Sequence, residues 1–352
     1  MSQLEDLIAS IPPLDAAAMK EAQTRQDTLT KPQGSLGRLE HLSVQVAGIT
    51  GVPRPRLKHK VILTMAGDHG VVAEGVSAYP QEVTAQMVYN FLRGGAAINV
   101  LARHVGARVV VVDMGVAVDL TPHPNLIVKK IGYGTENIAQ GPAMTREQAI
   151  QSILAGAAVV EAELAKGLDI LGTGDMGIGN TTPSAAIAAA ITAHSPGEIV
   201  GRGTGVDNAA LFRKISVVQQ ALRVNRPDPL DGIDILSKVG GFEIGGLVGA
   251  ILAAAAHRRP VVVDGFISTA AALIAVTLAP MVRSYLIIGH RSQERGHRLM
   301  LDWLGIKPVL DLDLRLGEGT GAVLAMSIVD AACKILDEMA TFSEAGVTER
   351  DT

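Results

Sequence analysis

The sequence predicts an α/β protein built on a parallel sheet, and two observations support this prediction. Short runs of β-branched and other apolar residues recur along the chain, and amphipathic or Ala-rich segments separate them. Polar residues with reactive side chains follow these runs. The runs are VILTMAG (61–67), RVVVVDMG (108–115), LDILGTG (168–174), RPVVVDG (259–265), SYLIIGH (284–290) and PVLDLDLRLGEG (308–319).

The helices are predicted from the spacing of apolar residues between these runs. The first 50 residues are predicted to be helical, apart from a break at KPQGSLGRLE (31–40). After the first strand, Val83, Met87 and Phe91 recur on one helix face. Only 3% of the residues are aromatic, so we expect a core of small residues in which helices pack closely on the sheet.

The composition excludes several classes of function. With 352 residues, 48% of them hydrophobic, the chain can bury a large core, as one α/β domain with an appendage or as two domains. The net charge of −4 and the pI of about 6.1 argue against a nucleic-acid-binding surface. The single cysteine, Cys333, excludes a disulfide framework. Small molecules are therefore the predicted partners.

The chain is predicted to be cytoplasmic and not to bind a membrane. Its first residues, MSQLEDLIAS, include acids and lack the apolar segment of a signal peptide. The apolar stretches 247–256 and 270–282 are shorter than a membrane span and rich in Ala. We expect both stretches to be buried helices.

Polar residues cluster where the predicted strands end. They are Asp68, His69, Asp113, Asp175, Asp264, His290 and Glu318. In open parallel sheets, ligands bind outside the carboxyl ends of the strands. One Asp after a strand is often only a turn or cap residue, but the recurrence at six strand ends predicts a site at this edge of the sheet.

The segment LGTGDMGIGNTTP (171–183) is the most informative single element. Its glycines, Gly172, Gly174, Gly177 and Gly179, allow a sharp turn and a close approach to a ligand. Thr182 is the predicted N-cap of the next helix, with Pro183 at its first position. Free N–H groups and the helix dipole favour an anion there, most simply a phosphate. A tight turn with a good cap is the alternative.

The same segment contains the pattern G-x-G-x-x-G, which offers a dinucleotide-binding interpretation. That pattern should be followed, about 20 residues later, by an acid that closes a second strand. Glu198 lies near that distance but begins the run EIVG instead of ending a strand. The context is therefore a poor match to an NAD-dependent enzyme.

A second glycine-rich turn, DLRLGEGTGAVLA (313–325), places Glu318 between Gly317 and Gly319. Flanking glycines leave a carboxylate uncrowded and able to meet a substrate, so Glu318 is a candidate catalytic base. A stabilising acid in the first turn of a helix is the structural alternative.

Three further features have less specific patterns. Asp68–His69 could begin a metal site, but no clustered ligand spacing supports one, and no metal is predicted. Lys214 is a cation beside a loop, either a phosphate ligand or an ordinary surface lysine. The Gly-rich segment GRGTGVDN (201–208) is predicted to be a functional loop.

Several blocks of the sequence resemble one enzyme family, the nicotinate-nucleotide:dimethylbenzimidazole phosphoribosyltransferases. The resemblance extends from about residue 4 to about residue 338, with the blocks in consistent order. The blocks are KPQGSLGRLE, AGDHGV, GDMGIGNTTP, DGIDILSKVGGFEIGGL, VDGFIS, GHRSQERGH and RLGEGTGAVLA.

The resemblance implies an activity and an architecture. The activity is transfer of the 5-phosphoribosyl group from nicotinate mononucleotide to 5,6-dimethylbenzimidazole, which gives α-ribazole 5′-phosphate and nicotinate for the nucleotide loop of cobalamin. The architecture is a Rossmann-like parallel sheet flanked by helices, residues 51–324, with a small helical subdomain from the chain termini, residues 1–50 plus 325–352. A homodimer without metal or organic cofactor is expected.

The resemblance also implies site residues. Glu318 matches the catalytic glutamate that takes the proton from the benzimidazole nitrogen, and Asp175 is a second catalytic candidate. Substrate contacts are expected from Tyr79, Met87, Gly177, Gly179, Asn180, Thr181, Thr182, Lys214, Asp264, His290, Leu316 and Gly317.

The chain departs from the family pattern at four of its positions. Asp175 stands where the family usually has Glu, Tyr79 and Met87 stand where some members have a small hydroxyl residue and a Gln, and Gly289 replaces a Ser. The acceptor base preferred by the enzyme is therefore not fixed by the resemblance. An NAD-dependent oxidoreductase and a non-catalytic nucleotide-binding protein, in which Glu318 only binds a ligand, remain the alternative functions.

Overall fold

The computed structural model describes residues 2–201 and 208–348. Within these ranges, six strands form one parallel sheet: β1 (Lys60–Gly67), β2 (Ala107–Gly115), β3 (Leu126–Val128), β4 (Ile170–Met176), β5 (Val261–Val263) and β6 (Leu286–Ile288). Their order is β3-β2-β1-β4-β5-β6. This is the Rossmann order, in which the winding direction reverses between β1 and β4. The predicted Rossmann-like sheet is confirmed.

The helices connect these strands. The first group is α1 (Gln3–Ala9), α2 (Ala16–Thr28), α3 (Arg38–Thr50), α4 (Val83–Leu92), α5 (Ala97–Val105), α6 (Arg146–Leu164), α7 (Thr181–Thr192) and α8 (Pro196–Ile199). The second is α9 (Asn208–Asn225), α10 (Gly232–Val239), α11 (Phe242–Ala256), α12 (Phe266–Leu278), α13 (His297–Leu304), α14 (Thr320–Glu338) and α15 (Phe342–Ala345). Short 3₁₀ helices lie at Gly70–Glu74 and Pro280–Tyr285.

Helices cover both faces of the sheet, as the side chains of β1 show. Val61, Leu63 and Met65 point into a core formed with α6, α7, α11 and α12. Ile62 and Ala66 point to the other face, where α4, α5 and α14 pack. Side chains alternate between the faces of a strand, so a strand buried on both sides is apolar throughout. This explains the continuous apolar runs in the sequence.

Glycine allows α6 and α11 to approach very closely. A Cβ on Gly249 would lie 1.7 Å from the carbonyl oxygen of Ile153, and one on Gly156 would lie 1.9 Å from that of Gly246. Larger residues at these positions would push the two helices apart. The expected core of small, closely packed residues is thus present in this pair of helices.

Helices from the two ends of the chain pack together. Ala22 of α2, Ala47 of α3 and Leu336 of α14 form a small apolar cluster. The first half of α14, however, packs on the sheet, where Ala322 and Met326 lie in the same core as Ile62. Because α14 runs through position 325 without a break, the division into residues 51–324 and a terminal subdomain stays a prediction.

One predicted strand is wrong and one was missed. Residues 308–319 form no strand, because Asp313 adopts a left-handed conformation with φ 56° that interrupts an extended chain. Isolated main-chain bonds join this segment to the residues after β6, including Leu310 N–H to Gly289 O at 3.0 Å. β3 was missed because its short apolar run, Leu126–Val128, is followed by Lys129 and Lys130 instead of the glycine found at the end of the other runs.

The apolar stretches 247–256 and 270–282 behave as expected. Their residues belong largely to α11 and α12, whose side chains are almost all buried. In the described ranges, no helix combines the length and the apolar character that crossing a bilayer requires.

Candidate active site

A pocket of about 530 Å³ opens at the carboxyl edge of the sheet, beside the point where the strand order reverses. This is where ligands bind in open α/β sheets. Its walls come from the ends of β4, β5 and β6, from the segment before α14 and from α4. The predicted site residues that line it are Tyr79, Met87, Asp175, Gly177, Asn180, Thr181, His290, Leu316, Gly317 and Glu318.

The other predicted residues lie behind the pocket wall. Gly179 shapes the turn before α7 with φ 88°. Thr182 is fully buried within α7, Lys214 is buried on α9 and Asp264 is fully buried after β5. The surroundings of Gly179, Thr182 and Asp264 therefore suit a supporting role better than a direct contact with substrate.

Glu318 stands on an unusual turn. Gly317, Glu318 and Gly319 have φ values of 85°, 65° and 97°, so three successive residues are left-handed. For a residue with a side chain, this conformation costs on the order of 1–3 kcal/mol and persists only where the surroundings hold it. The main-chain carbonyl of Glu318 accepts a hydrogen bond from Thr64 Oγ1 at 3.1 Å. The turn thus holds an acidic side chain at the pocket wall.

The carboxyl group of Glu318 is only slightly exposed. Its Oε2 accepts a hydrogen bond from the Ile98 N–H at 3.4 Å, at the amino end of α5. Burial raises the pKa of Glu318, this hydrogen bond lowers it, and the negative charge of Asp264 raises it further, with a net upward shift. A carboxylate with a raised pKa is a stronger base, which suits general-base catalysis.

Asp175, near the end of β4, is another acidic residue that lines the pocket. Its Oδ2 accepts a hydrogen bond from Asn180 Nδ2 at 2.9 Å. Burial, followed by the charge of Asp264, raises the pKa of Asp175 to about 8. At neutral pH this carboxyl group is therefore largely protonated and can donate a hydrogen bond, whereas an ordinary surface Asp cannot.

The glycine-rich turn between β4 and α7 approaches β1 closely. A Cβ on Gly177 would lie 2.2 Å from the carbonyl oxygen of Gly67. The predicted cap at Thr182 is wrong, because α7 already begins at Thr181 with Asn180 as its N-cap. Asn180 makes no capping bond, since its side chain is directed to Asp175. The capping pattern in the sequence did not reveal this side-chain contact between residues five positions apart.

Lys214 brings a cation to the amino end of α7. Its Nζ donates to Thr181 Oγ1 over 2.6 Å, and its side chain is buried, so the surface-lysine interpretation is wrong. Burial lowers the pKa of Lys214 to about 8. A helix amino end and a buried ammonium group together favour an anion, and a bound anion would further stabilise the charged form of the lysine.

Several pocket residues were missed from the sequence. Ser292, Glu294 and Arg315 line the pocket, as do Ile178 and Phe266. Ser292 and Glu294 follow β6 by a few residues, which is a signal that the strand-end argument could have used. Glu294 Oε2 is buried without a hydrogen-bond partner among the described residues, so it is an acceptor that a ligand hydroxyl could satisfy.

Three of the strand-end residues do not line the pocket and instead make hydrogen bonds or ion pairs with other parts of the chain. His69 Nε2 lies 2.7 Å from Glu243 Oε1, and both side chains are buried. Asp68 accepts the N–H of Ala117 at 2.8 Å, and Asp113 pairs with Lys130 at 3.1 Å. In the part of the chain that the structure describes, no group of three or more His, Cys, Asp or Glu residues could hold a metal ion.

The G-x-G-x-x-G pattern has a packing role at its first two positions. Gly172 and Gly174 lie inside β4, where a Cβ on Gly172 would be 2.3 Å from Ile62 Cδ1. Glu198 lies in α8, where its carboxylate caps Ser195, and not at the end of a strand. The geometry therefore differs from that of a dinucleotide-binding site. Residues 202–207 of the predicted functional loop lie outside the described residues.

Known proteins are similar to this chain over nearly its whole length. Residues 11–347 match the family model described as phosphoribosyltransferase. The nicotinate-nucleotide–dimethylbenzimidazole phosphoribosyltransferase of Roseiflexus sp. strain RS-1 is 64% identical over 99% of both chains. That of Chloroflexus aurantiacus is 61% identical over 99% of this chain and 100% of the relative.

A solved structure is similar throughout. The crystal structure of the enzyme of the same name from Thermus thermophilus matches with a TM-score of 0.91 and 47% identity, over 96% of this chain and 100% of that one. A family match that spans nearly the whole sequence, with the same fold and a strand-end pocket, establishes the relationship: this chain belongs to the phosphoribosyltransferase family of the nicotinate-nucleotide–dimethylbenzimidazole enzymes.

Proposed function

We propose that the protein transfers the 5-phosphoribosyl group of nicotinate mononucleotide to 5,6-dimethylbenzimidazole, which releases nicotinate and forms α-ribazole 5′-phosphate. The single observation that carries the mechanism is the position of Glu318, a carboxyl group with a raised pKa on a rigid turn at the pocket wall. The names and whole-length identity of the relatives support the choice of substrates.

Glu318 acts as the general base. One nitrogen of the benzimidazole attacks C1′ of the ribose while Glu318 takes the proton from the other nitrogen. The glycosidic bond to nicotinate breaks, and its electron pair returns to the ring nitrogen, so the pyridinium leaves as a neutral pyridine ring. Attack on the face opposite the leaving group converts the β-linkage into an α-linkage. The negative charge of Glu318 also stabilises positive charge that develops at C1′.

The phosphate end of the nucleotide binds at the amino end of α7. Thr181 lines the pocket there, and Lys214, which lies behind the pocket wall, donates a hydrogen bond to the hydroxyl of Thr181. The helix dipole and the ammonium group both stabilise a phosphate. The substrate is thereby fixed by a part of the molecule that does not react, and C1′ is positioned near Glu318.

The acceptor base binds between apolar side chains. Met87 of α4, Leu316 and Tyr79 line the pocket that Glu318 also lines. Tyr79 and Leu316 are 54% and 57% exposed, so they form its rim. Flat aromatic ligands bury apolar area against such side chains, and the two methyl groups of dimethylbenzimidazole add to it.

Asp175 assists in its protonated form. Its neutral carboxyl group donates a hydrogen bond inside the pocket and adds no second negative charge beside Glu318.

The family resemblance further supports a homodimer, a cytoplasmic location and a helical subdomain from residues 1–50 and 325–352. Sedimentation of the purified protein tests the dimer.

The experiment that tests the function is base-dependent release of nicotinate. Purified protein is incubated with nicotinate mononucleotide, with and without dimethylbenzimidazole, and the products are separated by chromatography. We expect stoichiometric nicotinate and α-ribazole 5′-phosphate only when both substrates are present. Reduction of NAD with no nicotinate release would support an oxidoreductase, and ligand binding without turnover would support a non-catalytic binding protein.

A further inference from the structure

Asp264 lies directly behind the turn that carries Glu318. It follows β5, is fully buried and does not line the pocket. Its Oδ2 accepts the N–H of Gly319 at 3.1 Å, and its Oδ1 accepts those of Gly321 at 2.7 Å and Ala322 at 2.9 Å. One side chain therefore holds three main-chain groups of the segment that begins immediately after Glu318.

These contacts are placed where the left-handed turn needs support. Gly319 is the last residue of the turn, and Gly321 and Ala322 belong to the first turn of α14. An acid at a helix amino end satisfies N–H groups that have no partner within the helix. Through these hydrogen bonds, one side chain links the direction of α14 to the conformation of the turn. The position of the Glu318 carboxyl group depends on that conformation.

We infer that Asp264 is a positioning residue for the transfer reaction: its carboxylate fixes the turn of residues 317–319 so that the Glu318 carboxyl group faces the acceptor base. The inference rests on the proposed role of Glu318. It differs from the substrate contact expected from the sequence, because both oxygens of Asp264 are already occupied by main-chain donors.

The negative charge of Asp264 also affects the pKa values of the neighbouring carboxyl groups. Asp264 raises the pKa of Glu318 and also that of Asp175, since like charges in a buried region oppose each other's ionisation. Burial raises the pKa of Asp264 itself. Two features favour its ionised form: His290, whose Nε2 lies 3.7 Å from Asp264 Oδ1, and the three N–H donors. The ionisable groups that surround the Glu318 turn are thus Asp175 after β4, Asp264 after β5 and His290 after β6.

Asp264→Asn tests the inference, because the amide keeps the size of the side chain but must present an N–H where the wild type accepts one. We expect kcat to fall about 100-fold, as a misplaced catalytic group does, while the Kd of nicotinate mononucleotide changes little. Removal of the negative charge lowers the pKa of Glu318. The acid limb of the kcat profile should therefore move to lower pH.

Asp113→Asn is the matched control. Asp113 is also a buried strand-end aspartate, and it accepts a main-chain N–H three residues later, from Val116 at 2.9 Å, but it lies outside the pocket. We expect this variant to keep the wild-type kcat and acid limb. An Asp264→Asn variant with wild-type kcat would overturn the inference. A fall in kcat with an acid limb at the wild-type pH would also overturn it, because a merely structural residue would give that result.

A second variant covers the case in which Asp264→Asn does not fold. Thr173 Oγ1 accepts the N–H of Asp264 at 3.1 Å, and Thr173→Val removes this bond while it keeps the carboxylate. We expect a lower kcat with unchanged nucleotide binding, and Thr173→Ser, which keeps the hydroxyl, should restore the wild-type kcat. A wild-type kcat in Thr173→Val, or no recovery in Thr173→Ser, would overturn the inference. If the wild-type protein itself releases no nicotinate, the proposed function fails. If the wild type is active and the Asp264 variant equals it, only this inference fails.

Discussion

Gly174 of β4 lies directly beneath the main chain of Glu318. A Cβ at position 174 would stand 2.4 Å from the Glu318 carbonyl oxygen, far inside van der Waals contact. The strand next to the point of reversal in the sheet thus has no side chain at the place where the turn of residues 317–319 rests on it. This close approach fixes the height of Glu318 above the sheet.

Gly174→Ala is expected to displace the turn. Because the neighbouring atoms are main chain and cannot rotate away, the added methyl should destabilise the protein by about 1–3 kcal/mol and lower kcat. Thermal unfolding and the nicotinate-release assay measure the two effects. Gly141→Ala is the control, since a Cβ there meets no atom within 4 Å. Equal activity of both variants would show that the turn tolerates movement.

Asp175→Asn is expected to remove the alkaline limb of activity. The pKa of Asp175 is about 8, so the wild type should lose activity as this group ionises above that pH. An amide resembles the protonated form, and the variant should stay active at higher pH. A pH profile of kcat checks this, and an alkaline limb that is identical in both proteins would contradict a role for protonated Asp175.

The same substitution should change stability with a definite sign. The folded-state pKa of Asp175 is raised, so the folded protein binds a proton that the unfolded chain releases above about pH 4. The wild type therefore loses stability as pH rises from about 4 to about 8. Relative to the wild type, Asp175→Asn should gain Tm at pH 8 and not at pH 4. A Tm difference that does not depend on pH would argue against the raised pKa.

Lys214→Met is expected to weaken binding of the nucleotide through its phosphate. Loss of one charge-assisted bond costs about 1.5–3 kcal/mol, which corresponds to roughly a 10- to 100-fold higher KM for nicotinate mononucleotide. The KM for dimethylbenzimidazole should change little. Lys238→Met, at a lysine that pairs with Asp234 at 2.9 Å outside the pocket, is the control.

A substrate without phosphate sharpens this test. With nicotinate riboside as donor, the wild type and Lys214→Met should differ far less, because the group that Lys214 contacts is missing. If the two proteins differ as much with the riboside as with the mononucleotide, Lys214 does not serve the phosphate.

The preference for the acceptor base tests the apolar pocket. Each buried methyl group contributes about 0.8 kcal/mol, so dimethylbenzimidazole should exceed benzimidazole in kcat/KM by about tenfold. Met87→Ala should reduce this ratio, since Met87 lines the pocket. Competition assays with dimethylbenzimidazole, benzimidazole, adenine and phenols measure it. Equal rates for all acceptors would overturn the assignment of dimethylbenzimidazole.

The layout of the sheet could be predicted because it depends on local patterns. Five apolar runs became strands, and the residues at their ends include Asp175 and His290, which line the pocket. The resemblance to a family supplied the reaction and the role of Glu318, which composition and spacing alone left open.

The remaining features depend on contacts between distant parts of the chain. Asp264 follows a strand end as other candidate residues do, but the hydrogen-bond partners of its carboxylate lie 55 or more residues further along the chain. Lys214 has an ordinary helical context in the sequence, yet tertiary packing buries it against Thr181. At position 289, a Cβ would lie 3.0 Å from atoms of three other residues, so the Ser usual in the family would need them to shift. Local patterns carry none of this information.

In the proposed mechanism, the carboxyl group of Glu318 takes the proton from the acceptor base, and Glu318→Gln removes this function alone. The amide keeps the shape of the side chain but is not a base. We predict that kcat for nicotinate release falls by about 10²- to 10⁴-fold, while Tm and the Kd of nicotinate mononucleotide stay close to wild type. Turnover near the wild-type rate in a correctly folded Glu318→Gln protein would show that Glu318 is not the general base.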